Sequence, residues 1–483
     1  MTTKTDYLDV LIVGAGLSGI GAAHHVQDAF PNRTFAVLEA RDAIGGTWDL
    51  FRYPGIRSDS DMQTLGYRFR PWTDEKSIAD GPAILDYVRD TAAEAGIDRH
   101  IRFGHRVIGA DWSSEQSMWT VTAEHAGEIV TLSARFLYAC TGYYRYDEGF
   151  TPKFEGTERF RGEIVHPQHW PEDLDYTGKK VVVIGSGATA VTLVPSMAAD
   201  AGHVTMLQRS PTYIASLPAK DPIANTLRRV LGNRIAYPIT RWKNVAFSTV
   251  TYQLSQRLPR LVKAFLRKAQ ERQLPDGYDI GTHFTPRYNP WDQRMCLVPD
   301  GDLFRAIRHG KASVVTDRIA TFTERGLALE SGTELDADVI VTATGLNLQI
   351  FGGAELSVDG KPVSLPETLA YKGMMLSDVP NFVFTIGYTN ASWTLKADLV
   401  AEYFCRLLAR MDERGESVCV PVNNDPTLTT RPLLDFEAGY VMRSVAQFPK
   451  SGSRAPWQLG MSYVHDLVTL RHRTLDDGVM QFS

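Results

Sequence analysis

The chain has 483 residues, 43% of them hydrophobic and 22% charged, and its 51 Lys and Arg against 56 Asp and Glu give a net charge of -5. At about 150 residues per domain this length suggests roughly three domains and more than one sizeable core, which excludes a small binding module. The composition excludes disordered, collagenous and polytopic membrane classes, and the slightly acidic balance is no footprint for nucleic acid.

The four cysteines, Cys140, Cys296, Cys405 and Cys419, form no CxxC pair, so a reduced, cytoplasmic protein without a disulfide framework is expected. A short polar start and the lack of any apolar run of about twenty residues speak against a signal peptide and a spanning helix.

The first element is the apolar run Val10-Leu11-Ile12-Val13, which reads as a buried parallel strand and leads straight into Gly14-Ala15-Gly16-Leu17-Ser18-Gly19. A helical pattern follows over Ile20 to Phe30, then the strand Thr34 to Leu38, ended by Glu39. The spacing has a chemical reason: Gly14 permits the tight turn, Gly16 lets backbone approach a pyrophosphate, and Gly19 lets helix and strand pack closely. Glu39, twenty residues after Gly19, suits a ribose diol and a nucleotide without a 2′-phosphate. FAD and NAD both fit; Gly46, Thr47 and Trp48, a glycine-rich segment ending in a large ring, incline the reading toward FAD.

The pattern recurs at Val181-Val182-Val183-Ile184, followed by Gly185-Ser186-Gly187-Ala188-Thr189-Ala190. After the next strand, Val204 to Leu207, the expected acid is replaced by Gln208-Arg209-Ser210. An arginine and a hydroxyl suit the 2′-phosphate of NADPH. The fold class expected is therefore α/β with two Rossmann-type domains, one for FAD and one for NADPH. Phe136 to Gly142 and Val339 to Gly345 each end an apolar strand at a Thr-Gly turn, where the chain is expected to cross between the two domains.

Between the fingerprints, Phe160, Gly162, His166, Trp170 and Pro171 fit FxGxxxHxxxWP at every fixed position. His166 and His169 alone could suggest a metal pair, but no further ligand stands at the right spacing, and none is expected. The motif resembles the signature of the type I Baeyer-Villiger monooxygenases. Further runs, among them Trp48 to Gly55, His283 to Asp292 and Ile386 to Leu395, extend the resemblance over the chain and are most similar to the mycobacterial ethionamide-activating branch.

The resemblance implies that NADPH reduces the flavin, that dioxygen adds at flavin C4a, and that the oxidant inserts oxygen into a small lipophilic ketone to give an ester or lactone. It also implies sulfur oxygenation in thioethers or thioamides. In the positions that match, Arg294 would stabilise negative oxygen, Asp59 would orient Arg294 beside the flavin, and His166 would couple the linker to the nicotinamide site. Trp393 and Leu395 would begin a helix, Thr394 to Met411, whose N-terminus faces the flavin. Many relatives carry a lysine just before the arginine where this chain has Gln293, so NADPH preference rests on Arg209 and Ser210 and leaves room for NADH.

Residues 222 to 275 hold eleven Lys or Arg and one acid, Glu271, interleaved with apolar residues. The stretch Leu258 to Lys268 reads as an amphipathic basic helix within a helical insertion at about 222–280. Either it is a solvated face covering the active site, the preferred reading, or it rests on the inner face of an anionic membrane. The expected domains are 1–145 and 350–483 for FAD and 146–349 for NADPH. A disulfide reductase lacks its cysteine pair here, and a serine hydrolase its GxSxG. The alternatives carried forward are a heteroatom monooxygenase without ketone activity and a non-catalytic flavin redox sensor.

Overall fold

The structure, a computed structural model, describes residues 7–293, 295–434 and 438–483, so Arg294 lies outside the described residues. The first apolar run forms strand β1 (Tyr7–Val13), followed by helix α1 (Leu17–Ala29) and strand β2 (Phe35–Leu38). β1 is paired in parallel to β2 on one side and to β3 (Glu128–Ala139) on the other. Val10, Leu11 and Ile12 are fully buried, which is why the run is continuously apolar rather than alternating. The early part of β3 pairs antiparallel with Met118–His125, while Leu137–Ala139 pair in parallel with Phe382–Phe384. One long strand thus joins the nucleotide-type sheet to an antiparallel meander.

After β3 the chain passes through β4 (Tyr144–Gly149) into a second sheet containing β5 (Glu163–Val165), β6 (Lys180–Ile184) and, after helix α2 (Ala188–Met197), β7 (His203–Gln208). Helices α3 (Pro222–Arg257) and α4 (Pro259–Glu271) follow, then strands β8 (Ala312–Thr316), β9 (Val339–Thr342) and β10 (Leu346–Leu348). The sheet order is β8-β7-β6-β9-β5, all parallel. β10 returns antiparallel to β4, with Leu346 opposite Gly149. Thr141-Gly142 and Thr344-Gly345 are each followed by one strand of this antiparallel pair.

The long helix α5 (Trp393–Arg414) ends at Gly415, which takes the left-handed conformation a C-terminal cap requires. Ile20, Ala23 and Val26 of α1 share one buried cluster with Val400, Phe404 and Leu407 of α5. Full burial of each larger side chain is worth about 1.5–3 kcal/mol, so α5 is held to the first nucleotide unit by packing. Helix α3 is interrupted at Gly232, whose φ of 71° and ψ of 163° are not helical. It is tied down by the buried Arg241, which donates to the carbonyls of Gln63 (2.7 Å) and Gly66 (2.9 Å) and lies 3.6 Å from Asp398 of α5.

Candidate functional site

The two glycine turns have matching geometry. Gly14 and Gly185 have φ of +104° and +143°, and a Cβ at either would lie 2.6 Å from the Cys140 carbonyl oxygen or 2.3 Å from that of Ala343. Only glycine fits both demands. A Cβ at Gly19 would fall 1.7 Å from the Gly14 carbonyl oxygen, so strand and helix touch backbone to backbone; Ala190, fully buried, takes that place in the second unit. Gly16 and Gly187 are the N-caps of α1 and α2, and neither helix has a side-chain cap. The N–H groups of both first turns are left for an anion.

The strand ends differ as their sequences do. Glu39 is buried; its Oε2 accepts from the Ala15 N–H (2.7 Å) and its Oε1 from the Arg41 N–H (2.9 Å). Burial raises its pKa, and those N–H donors offset part of the rise. Each oxygen retains a second lone pair for a diol. After β7, Gln208 turns inward to the His283 carbonyl and Thr316 (2.8 and 2.9 Å). Arg209 and Ser210 are exposed, and Arg209 forms no ion pair among the described residues.

Both turns open on one cavity of about 1060 Å³, larger than the usual small-ligand pocket of about 300–1,000 Å³. Gly14, Gly16, Glu39, Gly46, Thr47, Trp48, Asp59 and Trp393 line one part. Gly185, Gly187, Thr189, Arg209 and Ser210 line the other. Trp393 donates its indole N–H to Ser18 Oγ (2.7 Å) and packs against the backbone of Gly387. Thr47 Oγ1 pairs with the Tyr146 hydroxyl at 3.1 Å; burial pushes that phenol up to about 12.

Four of the residues singled out stand behind the wall. Gly19 and Ala190 serve helix packing, and Leu395 packs with Val245 and Tyr388. His166 sits between the crossing strands: its Nε2 is 3.2 Å from the Gly345 carbonyl oxygen, its Nδ1 accepts from the Gln168 N–H at 3.2 Å, and a Cβ on Gly149 would collide with its ring. Because Nδ1 accepts, Nε2 carries the proton and donates to Gly345. Burial, with the neighbouring His169, lowers the His166 pKa. The His169 ring bonds the Asp147 carbonyl (3.1 Å). Gln293 lines the cavity, next to Arg294 in the chain.

Some residues on the wall, such as Tyr53 and Arg57, and others beside it were not singled out by sequence. Tyr53 is buried, which drives its phenol pKa upward, and its hydroxyl bonds Thr189 of the second turn. Gly55 abuts Ser196 of α2, and Arg57 pairs with Asp302 at 2.5 Å. The loop after the first fingerprint thus straps the second nucleotide unit. The run Tyr53-Pro54-Gly55 was the only signal available. Trp291 holds a φ of 72°, and its buried indole N–H has no partner among the described residues. Strain of this kind concentrates at functional loops.

Comparison with known proteins gives a consistent result. The family described as flavin-binding monooxygenase-like matches residues 73–365, and an NAD(P)-binding Rossmann-like domain matches residues 12–73. The FAD-containing monooxygenase EthA of Mycobacterium tuberculosis is 57% identical over 99% of this chain and 98% of its own. The putative FAD-containing monooxygenase MymA of the same organism is 52% identical over 99% and 98%. Among solved structures, an oxidized steroid monooxygenase bound to NADP superposes with a TM-score of 0.73 at 25% identity, covering 86% of this chain and 88% of that one.

Proposed function

The chain belongs to the flavin-binding monooxygenase-like family and is an NADPH-dependent flavin monooxygenase, and on that premise we propose that it inserts one oxygen atom into small lipophilic ketones. Ketone, dioxygen, NADPH and a proton become ester or lactone, water and NADP+. Oxygenation of sulfur in thioethers or thioamides belongs to the same reading. The observation that supports it is that two glycine turns, one with the acid Glu39 and the other with the cation Arg209 at the following strand end, line a single cavity.

Bound FAD, once reduced by NADPH, supplies the activation of dioxygen. The chain's residues bind and orient. The first-turn N–H groups of α1, which has no side-chain cap, would hold the FAD pyrophosphate, and Glu39 its ribose diol. Thr47, Trp48, Trp393 and Asp59 wall the flavin end, with Leu395 packed behind. The first turn of α2 holds the NADPH pyrophosphate, and Arg209 with Ser210 its 2′-phosphate. The N-terminus of α5, where Trp393 lines the cavity, would favour negative charge on a flavin held there.

Arg294 would be the permanent cation for the negative oxygen that develops when a carbonyl is attacked, and Asp59, which lines the cavity, would orient it. His166 is a positioning residue that fixes the crossing strands. In domain terms, 1–145 and 350–483 hold FAD, and 146–349 hold NADPH with an insertion at about 222–280.

Incubating the holoenzyme with NADPH, air and phenylacetone tests the reading. Benzyl acetate is the expected product, and methyl phenyl sulfide is expected to give its sulfoxide. Sulfoxide without any ester would replace this reading by that of a heteroatom monooxygenase; neither product, with NADPH unconsumed, would leave a flavin sensor.

A further inference from the structure

Among the described residues, twelve of the eighteen exposed large hydrophobic side chains fall between Ile223 and Phe265, eleven on α3 and α4 and one, Leu258, at the joint between them. Their spacing is helical. Ile235, Ile239, Trp242, Val250 and Leu254 recur on one face of α3, while Tyr237, Arg241, Val245 and Ser255 are buried on the opposite one. On α4, Leu261 and Phe265 stand one turn apart, 61% and 70% exposed, opposite the buried Leu266 and Gln270. A helix lying on a soluble protein turns polar residues outward; these two turn apolar residues outward, with cations interspersed. Arg229, Arg234, Arg257, Arg260 and Lys268 are exposed and form no ion pair among the described residues. The patch extends to the neighbouring Tyr463 segment, where Trp242 meets the Tyr463 ring at 6.1 Å and Val464 and Val468 are exposed.

We propose that the outward faces of α3 and α4 form a docking surface for an anionic lipid bilayer. Two complementarities select this occupant. The apolar side chains match the acyl boundary, and the surrounding Lys and Arg match acidic headgroups. Residues 222–275 carry eleven cations against one anion, although the whole chain is at -5. The molecule is therefore electrically polarised, and an anionic plane orients it with these helices down. A two-fold pairing of this face with itself would set like charges against each other.

The buried side of α3 adds a functional consequence. Val245 packs on Tyr388 and Leu395, and Tyr388 lines the cavity. A bilayer-bound molecule would thus hold its oxygenation cavity just beyond the lipid boundary, where lipophilic substrates concentrate.

The test is cosedimentation of the purified holoenzyme with vesicles of phosphatidylglycerol and phosphatidylcholine, or of phosphatidylcholine alone, at low and high salt. Binding to the anionic vesicles at low salt is expected, weakening as salt rises. The double variant Leu261→Glu, Phe265→Glu should bind on the order of tenfold or more weakly. The triple variant Arg257→Gln, Arg260→Gln, Lys268→Gln should bind on the order of a hundredfold more weakly, since each cation near an anionic surface is worth about fivefold. Both variants should keep wild-type NADPH consumption with a soluble substrate, which shows that they fold. No binding to anionic vesicles at low salt, or undiminished binding by both variants, would overturn the proposal. So would light scattering that shows the double variant dissociating an oligomer with lipid binding unchanged. These readouts are independent of which atom the enzyme oxygenates.

Discussion

At the scale of single residues, the proposed placement of the two nucleotides rests on the contrast between Glu39 and Arg209. A buried carboxylate beside the first turn would repel a 2′-phosphate, whereas the exposed guanidinium of Arg209, which forms no ion pair among the described residues, would attract one. Charge-assisted bonds of this kind are worth about 1.5–3 kcal/mol. Arg209→Ala is accordingly expected to lower kcat/KM for NADPH by about ten- to a hundredfold while leaving that for NADH nearly unchanged. Equal losses with both coenzymes would remove Arg209 from the 2′-phosphate site. The residue scale also includes the Arg241–Asp398 pair. Burial alone would push Asp398 up, but the His25 hydrogen bond and charge, Arg241 and the Arg68 N–H outweigh it and hold the carboxyl below its ordinary 3.8. A depressed carboxylate contributes stability that is complete above 3.8 and is lost as pH falls through the lower folded value. Asp398→Asn leaves Arg241 buried without its counter-charge and should cost about 3–5 kcal/mol at neutral pH, read as a lower Tm with a flatter acid limb. An unchanged Tm at pH 7 would show that the pair holds nothing.

At the scale of elements, the crossing strands β4 and β10 are joined through His166, which touches Gly149 on one and Gly345 just before the other. Its pKa lies below the ordinary 6.5 because of burial and His169, so the ring is neutral at pH 7 and its clamp is lost as pH falls through that lowered value. His166→Ala should reduce kcat with the KM for NADPH and the flavin content retained, and His166→Gln, which can still donate to Gly345, should recover part of the rate. Loss of flavin from the alanine variant would instead mark a plain folding role. What could be read from sequence at this scale follows from locality. The two strand-turn-helix units are written in adjacent residues, so their strands, glycines and strand-end charges were all legible. Helix α5 was placed at 394–411 but runs from Trp393 to Arg414, because its last turn is closed by the Gly415 cap rather than by periodicity. Tyr53 on Thr189 and Arg241 on Asp398 were not legible, since each joins segments more than 130 residues apart. The basic, apolar-interleaved character of 222–275 was legible and left two readings open, a solvated face or a membrane face; burial adds which apolar side chains of α3 point outward.

At the scale of the whole molecule, two nucleotide units share one cavity, closed behind by the Tyr53-to-Arg57 strap and by α5, with α3 laid across Tyr388 and Leu395. The arrangement lets one coenzyme reduce the other without either leaving the protein. It therefore predicts that NADPH consumption is coupled to oxygen transfer rather than to release of hydrogen peroxide. Helix α3 is pinned by Arg241 near its middle, and Gly232 breaks it upstream. Gly232→Ala, where an added Cβ meets open space but φ is 71°, should lower stability by about 1–2 kcal/mol and leave flavin binding intact; a stabilised variant would mean that the break is not held by the fold. The central claim, that the shared cavity couples NADPH oxidation to insertion of oxygen into a ketone, is tested most directly by turnover of phenylacetone under ¹⁸O₂ with NADPH consumption and ester followed together. The account predicts benzyl acetate carrying one labelled oxygen and formed in step with NADPH loss. NADPH oxidised to yield only labelled hydrogen peroxide, with the ketone recovered unchanged, would contradict it.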